Sequence, residues 1–152
     1  MKIFYILVVV FVFLDQITKH LVRTLISVGE SISIIPNFFS LTSVQNTGAA
    51  WGILQDQMIL FYIITVAVLV YILDFLYKKK EYSRFTYISL GLLSAGIIGN
   101  FIDRILFQAV TDFLDFNIFG YNFPVFNLAD SLIIIGLILF TIGTIRKQKR
   151  EK

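Results

Sequence analysis

The sequence predicts an all-α membrane protein: four transmembrane helices, both termini cytoplasmic, and a small extracytoplasmic β-platform. Three observations carry this expectation. Hydrophobic residues fill 57% of the 152 positions and aromatic ones 16%, more than a soluble domain of this size needs for its core. Four stretches, 3–21, 59–77, 85–106 and 127–145, each approach the roughly 20 residues of a membrane-crossing helix. Lys and Arg gather on what becomes one side of the bilayer.

The first stretch resembles a secretory signal, with Lys2 before an apolar run. However, Asp15, Gln16, Lys19 and His20 follow where small residues should mark a cleavage site, so the helix is expected to be retained. The second stretch ends on Asp74 and Lys78, four apart in the order that favours a helical ion pair. Lys78, Lys79, Lys80 and Arg84 separate the second and third stretches, and Arg146, Lys147, Lys149, Arg150 and Lys152 follow the fourth. With Lys2 these set the cytoplasmic side, leaving segments 22–58 and 107–126 outside. The formal net charge of +3 is thus a topology signal. The short basic clusters suit anionic lipid head groups, and no nucleic-acid partner is expected.

In the outer segment "ESISIIPNFFSLTSV" apolar and polar residues partly alternate around a Pro36–Asn37 turn, which predicts two short strands. "VTDFLDFNIFGYNFPVF" adds aromatic residues and a turn signal around Gly120 to Asn122. Trp51 is the expected interfacial anchor, and residues 1–152 read as one domain. In the third stretch Gly91, Ala95 and Gly99 recur every four residues, a small-residue stripe that lets another helix approach closely. Asn100, Asp103 and Arg104 occupy the outer end of that helix, and Asn100 and Arg104, four apart, are placed to hydrogen-bond an extended peptide backbone.

Several chemistries are excluded. Without Cys there are no thiol nucleophiles, disulfides or Cys-bound metals. His20 alone cannot build a zinc site or, lacking a G-x-S-x-G turn, a Ser-His-Asp triad. Carboxylates remain, and Asp15, Glu30, Asp56, Asp103, Asp112, Asp115 and Asp130 all fall on or near the outer side. Glu30 and Asp56 sit in polar loops and are expected to be solvated. Asp15 and Lys19, four apart, read as an ion pair that orients a neighbouring site, or as a purely structural one.

Asp130 has two readings: an acid in the first turn of a helix capped by Asn127, favoured by the macrodipole, or a functional carboxylate in a membrane span. The third helix ends and the fourth begins on the same face, so Asp112 and Asp130 can meet although 18 positions separate them. Two close carboxylates share one proton, and such a pair can activate water against an amide.

The strings "DQITK" at 15–19, "NTGAAWG" at 46–52, "GNFIDR" at 99–104, "VTDF" at 110–113 and "FNLADS" at 126–131 together resemble the bacterial lipoprotein signal peptidases, the signal peptidase II family, over nearly the whole chain. Trp51 stands where many members carry Phe, and Thr111 where many carry Val. The resemblance implies an intramembrane aspartic endopeptidase of the bacterial cytoplasmic membrane, with Asp112 and Asp130 catalytic. Asn46, Gly48, Asn100, Arg104, Asn127 and Ala129 would line or support the site, Asp15 and Lys19 would support it from helix one, and Asp103 is grouped with them. The substrate it implies is a diacylglyceryl-modified prolipoprotein, cut just before the lipidated Cys, with no metal or organic cofactor. The chain is expected to work as a monomer among membrane lipids, its site towards the extracytoplasmic face. A small proton-coupled transporter and a four-span assembly factor are the competing classes.

Overall fold

The computed structural model describes residues 1–48, 53–78 and 82–150. Trp51, Lys79, Lys80, Glu81, Glu151 and Lys152, on which part of the anchor and charge reading rests, lie outside the described residues. Four helices are long and apolar enough to cross a membrane: α1 Lys2–Leu25, α2 Met58–Tyr77, α3 Arg84–Phe107 and α4 Leu128–Arg150. At 1.5 Å per residue even the 20-residue α2 spans about 30 Å, the thickness of the hydrocarbon layer.

Helix ends follow local chemistry and tertiary contact. Ser83 caps α3 by accepting the Thr86 N–H at 3.1 Å, and the helix closes on Gln108 in the left-handed region at φ 55°. α1 runs four residues past its predicted end because Lys19 and Val22 are buried, so the polar last turns are held in place. α4 likewise continues beyond position 145 through Arg146 to Arg150, a run of good helix formers. The expected Asp74–Lys78 ion pair forms at 2.5 Å on an exposed surface.

Helix α3 is the most buried of the four and packs between α1 and α4. At the end that holds Met1, Phe4, Ile72, Leu76, Tyr87 and Leu90 form the apolar core of α1, α2 and α3. Val9, Phe13, Ile63, Val70 and Ile138 face outward, as expected of surfaces that meet lipid.

Glycines set the interhelical distances. A Cβ on Gly91 would meet Leu7 and Phe4 of α1 at 3.3 Å, a tight but adjustable contact. On Gly96 it would run into the Ala129 carbonyl oxygen and lie 2.8 Å from Ile133 Cγ1. On Gly136 it would lie 2.5 Å from the Leu93 nitrogen. The predicted stripe therefore serves α1 through Gly91 and Gly99, where a Cβ on Gly99 would lie 2.5 Å from Asp15 Oδ2, while the α3–α4 contact depends on Gly96 and Gly136, which the four-residue pattern passed over.

Where α1 and α3 end and α2 and α4 begin, a four-stranded antiparallel sheet forms in the order β1 (Ser31–Ile35), β2 (Phe39–Asn46), β3 (Val110–Ile118), β4 (Tyr121–Asn122). The β1–β2 turn passes through Asn37 at φ 60°, as the Pro-Asn signal predicts. The β3–β4 turn is Phe119–Gly120, both at positive φ, a two-residue geometry whose twist matches the strands. Tyr121 and Asn122, predicted as turn residues, already pair with Ile118 and Asn117.

Between β2 and β3 the register slips by one residue in the step from Leu41↔Leu114 to Val44↔Asp112. Side chains alternate faces, so one extra residue in β2 transfers everything beyond it to the other face. Asn46 thereby shares a face with Asp112. Asp115, three residues on, turns to the opposite face, where its carboxylate accepts from Thr42 Oγ1 at 2.6 Å.

Gly96→Ala should cost about 1–3 kcal/mol of stability by forcing α4 off α3, whereas Gly91→Ala should be nearly neutral. Thermal unfolding of both variants in detergent checks this: a Gly96→Ala protein as stable as the parent would refute the close-packing account.

Candidate active site

The site is assembled around the start of α4. Asn127 Oδ1 accepts the Asp130 N–H at 3.0 Å, and Asp130 Oδ2 accepts the Asn127 N–H at 3.1 Å, a reciprocal capping box. Asp130 is thus a helix-start acid after all, but only with one oxygen. Its Oδ1 accepts from Asn100 Nδ2 of α3 at 2.7 Å. Because the Asn127 oxygen is committed to the cap, its amide nitrogen must point the other way, and it donates to Asp112 Oδ1 at 2.6 Å. Asn127 therefore donates to both carboxylates, to Asp112 from its side-chain amide and to Asp130 from its backbone N–H.

Asp112 is buried on β3, next to α3 and α4. Its Oδ2 accepts from Asn46 Nδ2 at 2.9 Å, and the Asn46 oxygen is held in turn by the Gly48 N–H at 2.9 Å. Burial, reinforced by the charge of Asp130, pushes the Asp112 carboxyl up to about 7, while the Asn46 and Asn127 donors pull against that rise. A carboxyl so displaced keeps its proton to neutral pH.

Behind the carboxylates lies a buried charge cluster. Lys19 is fully buried and its Nζ lies 3.0 Å from Asp15 Oδ2, 3.5 Å from Asp103 Oδ2 and 2.9 Å from Asn100 Oδ1. The ammonium fixes the Asn100 amide with its oxygen inward, so that its nitrogen faces Asp130. Asp15 Oδ1 accepts the Ala129 N–H at 2.9 Å, tying α1 to the first turn of α4.

Arg104 leaves the same turn of α3 in another direction. Its Nη2 donates to the Gly48 carbonyl at 3.1 Å and its guanidinium lies 4.3 Å from the Phe61 ring centroid. Tyr62 holds the helix there by donating its hydroxyl to the Arg104 carbonyl at 2.9 Å.

A cavity of about 490 Å³ opens over these groups. Asn46, Gly48, Asn100, Arg104, Asp112 and Asp130 line it, and apart from Ser131 its remaining wall is apolar, including Phe123, Val125 and Ile134. Six of the residues singled out in the sequence thus meet at one cavity. Asn127 and Ala129 sit beneath it, while Asp15, Lys19 and Asp103 brace it from behind. Asn100 lines the cavity with its oxygen accepting from Lys19 and Asn127 and one N–H given to Asp130, which leaves its second N–H for a peptide backbone.

Sequence reasoning missed Gln16, which donates to Asp15, Asp103 and the Gly99 carbonyl at 3.1–3.2 Å, and Arg23. The signal was present. Asp15, Lys19 and Arg23 recur every four residues, a polar stripe on one face of an otherwise apolar helix.

The sequence profile of the family described as signal peptidase (SPase) II matches residues 7–146. The lipoprotein signal peptidase of Staphylococcus aureus (strain JH9) is 47% identical over 148 residues, 97% of this chain and 91% of that one; the protein of strain Newman matches to the same extent. Two solved structures share the fold, each described as a bacterial membrane enzyme structure by the in meso method, at 2.3 Å and 1.9 Å resolution. They give TM-scores of 0.92 and 0.86 at 43% and 44% identity, covering 100% and 95% of this chain and 93% of each of those chains. With a family profile along most of its length, a relative nearly half identical from end to end, and the same fold, this chain belongs to the signal peptidase II family.

Proposed function

We propose that the chain is a membrane aspartic endopeptidase that removes the signal peptide from prolipoproteins, with Asp112 and Asp130 as its catalytic pair. The observation that carries this reading is one cavity lined by both carboxylates, each of which accepts from Asn127 beneath it. One carboxylate takes the proton of the attacking water while the other, protonated, donates to the substrate amide. Arg104 and the Gly48 carbonyl border the cavity and orient the peptide. Asn46, Asn100, Asn127 and Ala129 hold the carboxylates, and Asp15, Lys19 and Asp103 hold those groups.

The substrate carries diacylglycerol on the Cys that follows the scissile bond. Its acyl chains fix that bond at the depth where α3 ends and α4 begins, next to an apolar cavity wall. The reaction uses no metal or organic cofactor. The chain works as a monomer and one domain, in the cytoplasmic membrane of a bacterium, with both termini inside and the sheet and site outside. The transporter alternative gains nothing from this geometry, since Asp15, Asp103, Asp112 and Asp130 gather at one end of the bundle and Asp112 and Asp130 line one cavity there.

Asp112→Asn and Asp130→Asn should each abolish cleavage while the protein stays inserted and folded, and the double variant should be hardly worse than either. Asp115→Asn, on the opposite strand face, should keep most activity. Assays at saturating lipidated substrate decide this: substantial turnover by either single variant removes the dyad, and an inert Asp115→Asn protein moves the role to another acid.

Because Asp112 sits at about 7, it loses its proton above neutrality, and kcat/KM should fall roughly tenfold per pH unit on that limb. Asn46→Ala removes a donor that favours the carboxylate, so the limb should move to higher pH. A limb that stays in place or moves down, measured across the pH range, contradicts this assignment.

The acyl chains contribute roughly 0.8 kcal/mol per buried methylene to residence at the interface, so the same prolipoprotein without lipid should be cut very poorly. Comparison of both forms by gel shift in liposomes tests this, and equal cleavage would refute delivery by depth.

A further inference from the structure

Arg23, the last member of the polar stripe on α1, reaches the strand that carries Asp112. Its Nη1 donates to Thr111 Oγ1 at 2.9 Å and lies 3.4 Å from both oxygens of Asp103. The Thr111 N–H in turn donates to Asp103 Oδ2 at 2.9 Å. The guanidinium is packed 4.3 Å from the Phe107 ring centroid and only 18% of the side chain is exposed, so its position is fixed.

Thr111 is fully buried and, by strand alternation, faces away from Asp112. It is gripped at two points, its hydroxyl by α1 and its backbone N–H by α3. We propose that in this chain, where Thr111 stands in place of the Val that many family members carry, Arg23 is a positioning residue for the peptidase reaction: through the Thr111 hydroxyl it clamps the strand one residue before Asp112 and so sets where that carboxylate stands in the cavity.

The inference rests on the reading of Asp112 as catalytic. Two roles for Arg23 separate cleanly. If it only neutralises Asp103, the Thr111 hydroxyl is irrelevant. If it acts as a clamp, removing that hydroxyl reproduces its loss although every charge remains. Thr111→Val keeps size, burial and the N–H bond to Asp103 and deletes only the acceptor, while Thr111→Ser restores it.

The test measures kcat and KM on a lipidated prolipoprotein in micelles for Arg23→Met, Thr111→Val, Thr111→Ser and the Arg23→Met/Thr111→Val double variant, with thermal unfolding of each. Asp112→Asn serves as control. A displaced carboxylate should lower kcat roughly tenfold in Thr111→Val and in Arg23→Met, with KM within about twofold, because misplacement harms the reacting geometry more than substrate residence. The double variant should be no slower than Arg23→Met, and Thr111→Ser should behave as the parent. A parental kcat in Thr111→Val, effects that multiply in the double variant, or a loss confined to KM would each overturn the clamp. Should Arg23→Met fail to fold, the Thr111→Val and Thr111→Ser pair still decides. An active Asp112→Asn control overturns the catalytic reading itself; an inert control beside a parental Thr111→Val overturns the clamp alone.

Discussion

Four charges buried at one end of the bundle hold the architecture together: Asp15, Lys19 and Asp103, none of them exposed, and the largely covered Arg23. Burying a single charge in a low-dielectric interior costs several kcal/mol, so such groups persist only when matched and hydrogen-bonded. Here two acids meet two bases. The remaining valences are filled by the Ala129 and Thr111 backbone N–H groups, by Gln16 and by Asn100. The Ala129 bond reaches α4, the Thr111 bond reaches β3, and the Gln16–Asp103 and Asn100–Lys19 bonds join α1 to α3, so neutralising the cluster also locks these elements in place.

That arrangement propagates into the site as a series of amide orientations. Asn100 is turned by Lys19, Asn127 by the α4 cap and Asn46 by the Gly48 N–H, and each then presents its nitrogen to a carboxylate. None of the three amides can flip without leaving a buried donor or acceptor unpaired, which costs more than the hydrogen bond itself. The carboxylates therefore sit among donors that are oriented before any substrate arrives, the preorganisation on which electrostatic catalysis depends. Burial and the charge of Asp130 raise Asp112 to about 7 against the pull of its Asn46 and Asn127 donors.

Close helix packing is the other requirement. Gly96 and Gly136 let α3 and α4 approach until backbone meets backbone, and that approach brings Asn100 within reach of Asp130 and Asn127. Helix α2 contributes mainly at its ends, through Phe61 and Tyr62 against Arg104 and through Ile72 and Leu76 in the core. Its lipid-facing flank has no such constraint.

Hydropathy and charge determined the four helices because solvation in lipid is a property of composition, readable without coordinates. Turn chemistry likewise revealed β1 and β2, and the ordered motifs picked out Asp112, Asp130 and their neighbours. Other features belong to tertiary structure. The slip between β2 and β3 that brings Asn46 to the face of Asp112 has no local signature, since either register satisfies the same alternating pattern. Which glycines separate the helices depends on which faces meet, and so Gly96 and Gly136 escaped a four-residue pattern. The engagement of Asn100 by Lys19, Asn127 and Asp130 and the reach of Arg23 to Thr111 arise from residues more than 25 positions apart. Sequence states which groups are costly to bury; only the folded chain decides which partner offsets each cost, because hydrogen bonds are directional and their partners are distant along the chain.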